Sequence, residues 1–182
     1  MCIRDRVLIF ARDLKGDERI SNVAFMGMGE PMLNFDNVIA AIEILNDHDG
    51  LNIGARKISI STVGIIEGIK KLTKIDLQVN LAVSLHAPND KLRTQLMPVN
   101  KSNKLAQLIE AIDRYIDKTR RRVMYEYLLI DGVNDRPKDA HELVKLLKGK
   151  KLCFVNLIPF NPTGKFKSSP AHAVKRFKTI LG

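Results

Sequence analysis

The chain has 182 residues, with 30 lysines and arginines against 20 aspartates and glutamates, a formal net charge of +10 and a pI near 9.7. That length suffices for one domain with a substantial core, but a complete eight-fold β/α barrel needs about 250 residues, and the basic balance favours a polyanionic partner such as nucleic acid. Two cysteines, Cys2 and Cys153, are too few for a disulfide framework, and the apolar runs are shorter than the ~18 residues of a membrane span, so we expect a cytoplasmic protein without a membrane partner.

A glycine-rich turn follows the first apolar run of the chain. Val23 to Met26 is followed directly by Gly27-Met28-Gly29-Glu30-Pro31. Glycines let a backbone approach a ligand closely, Glu30 offers a carboxylate to a cationic amine, and Pro31 ends the strand. An ordinary strand-to-helix turn explains the same five residues, so both interpretations stay open.

Apolar β-branched segments alternate with helical patterns along the rest of the chain. Strands are predicted at Asn22–Met28, Arg56–Thr62, Gln78–Leu85, Arg122–Ile130 and Leu152–Pro159, and helices at 37–45, 65–72, 105–116, 137–148 and 171–181. Such alternation implies parallel strands joined by right-handed crossovers. The fold class is therefore α/β, either a β/α barrel or a doubly wound open sheet.

Polar residues follow several of the predicted strands at their carboxyl ends. Gly29 with Glu30, Ser61 with Thr62, Ser84 to His86, and Asn161 would meet at one mouth, where both fold types place their ligands. The hydroxyls of Ser61 and Thr62 suit a carboxylate or a ribose, and equally an ST-turn or a helix cap.

Two further charged features have competing interpretations. Glu126 lies inside a predicted strand, where a buried carboxylate needs a partner, and we expect a structural ion pair rather than a ligand. Arg120-Arg121-Arg122 is the densest basic cluster, which is typical of a solvated face but also suits phosphate contacts.

Five motifs occur in a characteristic order. They are Gly27 to Pro31, Ser61-Thr62-Val63-Gly64, Ser84-Leu85-His86-Ala87-Pro88-Asn89-Asp90, Glu126-Tyr127 with Gly132 to Asp135, and Asn156-Leu157-Ile158-Pro159-Phe160-Asn161-Pro162. In this order they resemble the radical S-adenosylmethionine (SAM) methyltransferases of the RlmN type, which methylate carbon 2 of an adenine in 23S ribosomal RNA and in some transfer RNAs. The resemblance covers nearly everything from Val7 onward.

The resemblance implies a partial (β/α) barrel of the radical SAM type, lacking the first of its six strands and the cluster loop. It implies SAM at the strand ends, bound by Gly29, Glu30, Ser61, Ser84, Leu85, His86 and Asn161. Val63 replaces a common serine of the family, and Phe160 a common tryptophan.

The family also binds a [4Fe-4S] cluster through a Cys-x-x-x-Cys-x-x-Cys loop, and a further cysteine carries the methyl group. The chain contains neither feature, so we assign no catalytic residue and no metal ligand, and we expect an inactive central fragment. We expect residues 1–6 to be an unmatched start and residues 7–182 an incomplete barrel domain, with Val7 to Lys15 as the tail of its first helix. Implied partners are 23S rRNA, tRNA and a reductant for the cluster, and we expect a monomer.

Two alternatives remain beside this hypothesis. A basic β/α domain could bind RNA without chemistry, or a radical SAM enzyme could act on a different substrate. Salt-sensitive RNA binding without SAM binding would favour the first of these.

Overall fold

The parallel sheet at the centre of the molecule is built from the predicted alternation of strands and helices. A computed structural model describes residues 3–162 and 164–182. Within them lie helices α1 (Ile3–Asp13), α2 (Phe35–Asn46), α3 (Ile66–Leu72), α4 (Asp90–Leu96), α5 (Leu105–Thr119), α6 (Pro137–Leu147) and α7 (Ala171–Leu181), and strands β1 (Val23–Phe25), β2 (Ile58–Thr62), β3 (Asn80–Ser84), β4 (Val123–Leu129) and β5 (Cys153–Pro159). Short 3₁₀ turns cover Pro31–Asn34, Ala55–Lys57 and Pro98–Lys101.

The strands pair in the order β1-β2-β3-β4-β5, and all four pairings are parallel. The predicted α/β class is therefore confirmed. A doubly wound sheet reverses its strand order at a switch point, whereas a β/α barrel adds each strand beside the last. The sequential order agrees with a partial barrel and not with a doubly wound sheet.

The two faces of the sheet differ in chemistry because side chains alternate along each strand. Phe25, Ile60, Val83 and Tyr125 face the helices and are buried in the core. Several residues on the opposite face of the sheet are small or polar, among them Ser61, Ala82 and Glu126. The register pairs Ser84 with Glu126 on this second face.

The helices cover the apolar face with the stripes that their periodicity predicts. On α5 the side chains of Leu108, Ile109, Ile112 and Ile116 are buried, and on α2 those of Val38, Ile42 and Leu45. None of the helices in the described part of the chain is long and apolar enough to cross a membrane.

Three local features differ from the sequence prediction. Strand β1 is shorter than Asn22–Met28, since Gly27 and Gly29 take φ values of +125° and +113° and turn the chain out of the sheet. Helix α1 begins at Ile3, earlier than the predicted Val7. Helix α4 was missed because its seven residues show no apolar period; Asn89 begins it by accepting a hydrogen bond from the Leu92 amide at 2.9 Å.

Candidate functional site

A cleft of about 320 Å³ opens at the carboxyl ends of β1, β2 and β3. The glycine turn forms one wall, and the ends of β2 and β3 form the other. Its lining is Phe25, Met26, Gly27, Met28, Gly29, Glu30, Pro31, Asn34, Val38, Ser61, Thr62, Val63 and Ser84. Four of the seven predicted site residues, Gly29, Glu30, Ser61 and Ser84, thus lie in one cleft.

The glycine turn has the backbone conformation that its sequence suggests. A Cβ added at Gly27 or Gly29 would meet no atom within 4 Å, so crowding within the chain does not select glycine there. The positive φ values do, because side chains other than glycine are strained in that region. The open space beside the turn leaves its backbone accessible, and Met26 and Met28 project outward, 52% and 106% exposed.

The carboxylate of Glu30 joins the glycine turn to the end of β2. Its Oε1 accepts a hydrogen bond from the Met32 amide at 3.0 Å, and its Oε2 accepts one from the Val63 amide at 2.7 Å. A carboxylate has about four lone-pair positions, so each oxygen can still accept a further donor. Glu30 is therefore both a link between two strand ends and a possible acceptor for a bound ammonium group.

Three strands contribute to a hydroxyl and carboxylate cluster beside this cleft. Ser61 on β2 and Ser84 on β3 both donate to Oε2 of Glu126 on β4, at 3.2 and 3.4 Å. The expected ion pair at Glu126 is wrong for the described residues, where its side-chain partners are these two serines. The carboxylate does not need a cation because it is only partly buried and receives two hydrogen bonds.

The sequence left open whether the hydroxyls of Ser61 and Thr62 face a ligand or form a local turn, and in the structure each residue takes one of these positions. Thr62 is buried, and its Oγ1 accepts hydrogen bonds from the amides of Gly64 and Ile65 at 3.1 and 3.3 Å, which is an ST-turn. Ser61 points to the opposite face of the strand and lines the cleft.

His86 lies just beyond β3 in a left-handed conformation with φ of +55°. Its Nδ1 accepts a hydrogen bond from the Leu128 amide at 3.1 Å, and neutral imidazole can accept at only one nitrogen. Burial, together with the positive charge of Arg93, lowers the pKa of His86 to about 4. The ring is thus neutral at physiological pH, with its proton on Nε2.

Asn134 links the ends of β3 and β4. Its buried Nδ2 donates to the carbonyls of His86 and Leu128 at 2.8 and 2.6 Å, and its Oδ1 accepts from the Ile130 amide at 2.7 Å. The motif Gly132 to Asp135 contained this residue, but its structural role was not foreseen.

Sequence reasoning missed Arg93 altogether. This residue of α4 is 0% exposed and donates to the Val63 carbonyl at 2.7 Å. The signal that could have found it is the Asn89-Asp90 pair, which resembles a helix start and places Arg93 one turn later, next to the strand ends.

Three of the seven predicted site residues do not line the cleft: His86, Leu85 and Asn161. The side chain of Leu85 is 0% exposed and belongs to the core, so it does not face a ligand at the strand ends. Asn161 is exposed beyond the end of β5.

The arginine cluster lies at the other end of the sheet from the cleft. Arg120, Arg121 and Arg122 precede β4, so they lie at the amino ends of the strands. Arg121 donates to Oδ1 of Asn80 at 2.7 Å, and the Arg122 guanidinium lies 5.9 Å from the centre of the Phe154 ring. These contacts support the interpretation as a surface feature apart from the cleft.

The described residues do not suit an iron–sulfur cluster. Cys153 is a free, half-buried cysteine at the start of β5, and burial raises the pKa of its thiol. Cys2 lies outside the described residues. Two cysteines cannot supply three thiolates, and no group of three metal-ligating side chains occurs in 3–162 and 164–182.

Comparison with a family model places most of the chain in one superfamily. Residues 4–147 match the model described as the radical SAM superfamily.

Relatives with curated names are similar over nearly the whole chain. A protein of Caldicellulosiruptor saccharolyticus named "probable dual-specificity RNA methyltransferase RlmN" is 53% identical over 166 residues, which cover 90% of this chain and 48% of that protein. A protein of the same name from Symbiobacterium thermophilum is 48% identical over 182 residues, covering 98% of this chain and 49% of the relative. The chain spans about half the length of these relatives.

Solved structures agree with the fold. A radical SAM methyltransferase from Sphaerobacter thermophilus superposes with a TM-score of 0.94 at 43% identity, over 98% of this chain and 53% of that one. A domain of a pyruvate-formate lyase-activating enzyme from Bacteroides vulgatus gives a TM-score of 0.66 at 17% identity, over 89% of this chain and 93% of that domain. The second similarity concerns the fold alone.

Proposed function

This chain belongs to the radical SAM superfamily, and from that premise we propose that its cleft binds SAM as part of an RNA methyltransferase. The observation that carries the proposal is the convergence of Gly29, Glu30, Ser61 and Ser84 on one cleft at the carboxyl ends of parallel strands. In α/β folds, ligands bind at these ends.

Glu30 is the residue best suited to the amino group of SAM. Both carboxylate oxygens are fixed by backbone amides, at 3.0 and 2.7 Å, and both retain lone pairs. The exposed backbone of Gly27 and Gly29 allows the ligand to approach without meeting a side chain. Ser61 and Ser84 already donate their protons to Glu126, so their oxygens are free to accept hydrogen bonds from a ribose.

In radical SAM enzymes, bound SAM and a reduced [4Fe-4S] cluster supply the radical chemistry, and the protein supplies binding and orientation. The cysteines of this chain do not fit that cluster, so we propose that the chain alone does not methylate RNA. For the whole protein we propose methylation of adenine C2 in 23S rRNA and tRNA, with a cluster reductant as partner and a monomeric, cytoplasmic state.

Calorimetric titration of the chain with SAM tests the proposed cleft. We expect saturable binding that Glu30→Gln weakens by about tenfold, because the amide replaces an acceptor oxygen by a donor. Glu43→Gln on α2 is the matched control, since Glu43 is exposed and outside the cleft, and its affinity should equal that of the wild type. Absence of binding, or equal effects of the two variants, would contradict the proposal.

The proposed inactivity is tested by anaerobic reconstitution with iron and sulfide. We expect no stoichiometric cluster absorbance in the visible range, and no methylated product when SAM, a reductant and an adenine-containing RNA are added. A stoichiometric cluster would show that the cysteine argument is wrong.

RNA binding without SAM binding is the second candidate function, and the net charge of +10 favours it. Lys165 and Lys167 are exposed and follow β5, so they come after the carboxyl end of a strand, as the cleft residues do. Filter binding of a 23S rRNA fragment and a tRNA over a range of salt concentrations separates the two functions. Salt-sensitive RNA binding with no detectable SAM binding would favour the non-catalytic RNA-binding domain.

A further inference from the structure

Arg93 carries a buried charge whose hydrogen-bonding groups are all engaged. Its side chain is 0% exposed. Nε donates to the Leu85 carbonyl at 3.2 Å, and Nη2 donates to the carbonyls of Val63 and Ser84 at 2.7 and 3.1 Å. Nη1 donates to Oδ1 of Asn100 at 2.9 Å and to the Asn103 carbonyl at 3.4 Å. Five N–H donors therefore meet five oxygen acceptors.

The partners of this guanidinium are oxygens of neutral groups. Within residues 3–162 and 164–182 no carboxylate accepts a hydrogen bond from Arg93. Burial lowers the pKa of Arg93 to about 10, while the charge of Asp90 acts in the opposite direction. The group is thus protonated at neutral pH, and carbonyl dipoles compensate its charge.

Three of the five acceptors belong to the strand ends that border the cleft. Val63 follows β2, Ser84 is the last residue of β3, and Leu85 follows it. The amide of Val63 is bound by Glu30 and its carbonyl by Arg93, so both backbone groups of this residue are held. The glycine turn, the end of β2 and the end of β3 are linked in this way.

We propose that Arg93 is a positioning residue that fixes the ends of β2 and β3 at the separation the cleft requires. At this separation the hydroxyls of Ser61 and Ser84 reach one carboxylate, that of Glu126. The identity of the ligand rests on the proposed function, whereas the positioning of the two strand ends does not.

Arg93→Lys is the variant that tests the positioning role, because an ammonium keeps the charge but cannot span three carbonyls in the planar arrangement of a guanidinium. Amide hydrogen exchange measured by NMR should show faster exchange by about tenfold at Val63, Leu85 and His86. Amides in β5 and α7 should be unchanged after correction for global stability.

Asn100→Ala is the matched control. It removes one acceptor of Nη1, together with the bonds that Asn100 donates to Asp90 and Thr94, and leaves the three carbonyl contacts at the strand ends in place. We expect a loss of global stability, but no increase in amide exchange that is confined to the strand ends. The proposal would be overturned if amide exchange in Arg93→Lys became faster uniformly across the protein, or if Asn100→Ala showed the same local increase at the strand ends. Either result would show a merely structural role.

The wild-type chain provides a test that does not depend on the variant folding. The side-chain N–H signals of a guanidinium fixed as described should exchange slowly and show scalar couplings across hydrogen bonds to the carbonyl carbons of Val63, Ser84 and Leu85. Rapid exchange and free rotation of this side chain would contradict the proposal.

SAM titration of the same variants separates this inference from the proposed function. If the wild type binds SAM, Arg93→Lys should weaken binding by about tenfold, and Asn100→Ala should change it by less than about twofold. If the wild type does not bind SAM while the local exchange pattern is observed, the proposed function fails and the positioning role stands. If SAM binds but exchange and affinity are unchanged in Arg93→Lys, the positioning role fails alone.

Discussion

The carboxyl ends and the amino ends of the sheet are both rich in polar residues, but they use them differently. At the carboxyl ends, Glu30, Arg93 and Asn134 each connect neighbouring strand ends through backbone groups. At the amino ends, the Lys150–Asp113 pair and the bond from Arg121 to Asn80 join side chains near the surface. The densest basic cluster therefore does not coincide with the cleft, whereas the hydrogen bonds between strand ends do.

Glycine tolerance should differ most between the two ends. Gly64, after β2, has a φ of +95°, and a Cβ there would lie 2.8 Å from Cδ2 of Leu108 and 3.1 Å from Nη2 of Arg93. We expect Gly64→Ala to lower the free energy of unfolding by about 3 kcal/mol, from backbone strain and overpacking together. Urea denaturation measures the change.

Gly149, before β5, is the matched control for that substitution. It has a φ of +76°, but a Cβ there would meet no atom within 4 Å. Gly149→Ala should cost only about 1 kcal/mol. Equal losses for the two variants would remove the contrast between the two ends.

The buried His86, at the carboxyl end, should make the stability of the protein depend on pH. Its pKa of about 4 in the folded protein lies below the ordinary histidine value of 6.5, so the unfolded chain binds more protons between these values. The contribution of His86 is fully present above pH 6.5 and is lost as the pH falls towards 4. We expect the wild type to lose on the order of 2 kcal/mol more than His86→Asn in this range.

Urea denaturation at a series of pH values checks this prediction. Asparagine is the replacement of choice because it tolerates the left-handed φ of +55°. His141→Asn on the exposed face of α6 is the control and should follow the wild-type profile. If the stability of the wild type changed with pH in parallel with that of His86→Asn, His86 would not be the source of the predicted loss.

Glu126→Gln should have a smaller effect, on affinity rather than stability. Both serines donate to the same oxygen, Oε2, so a glutamine oxygen in that position can still accept from them, but a neutral amide is a weaker acceptor than a carboxylate and holds the two hydroxyls less firmly. We expect SAM affinity to fall by about fivefold, or roughly 1 kcal/mol. Calorimetric titration measures the change, and an effect equal to that of Glu30→Gln would place Glu126 in direct contact with the ligand.

Substitution within the arginine cluster should have the smallest effect. Arg120 ends α5 in a left-handed conformation with φ of +55°, which glycine adopts more readily. Arg120→Gly should raise stability by about 0.5 kcal/mol and leave SAM affinity unchanged. A clear loss of SAM affinity would show that the amino ends contribute to the site.

Much of the fold was predictable because the strands and long helices have strong apolar patterns. The stripe on α5 and the alternation of β4 gave the correct elements, and the parallel sheet followed from them. Helix α4 was missed because it buries a charged residue, Arg93, where pattern analysis expects an apolar one. Glu126 was assigned an ion pair because sequence does not show which hydroxyls lie across neighbouring strands.

The sequence by itself determined the α/β class, the parallel arrangement and the family motifs, because apolar periodicity and residue order are local properties. It also showed that the chain has too few cysteines for an iron–sulfur cluster. Only the tertiary structure decided that Glu30 and Arg93 hold Val63 from its two backbone groups, and that two serines share the carboxylate of Glu126. These contacts join residues far apart in the chain, and they depend on strand register and on a buried charge whose partners no local pattern specifies.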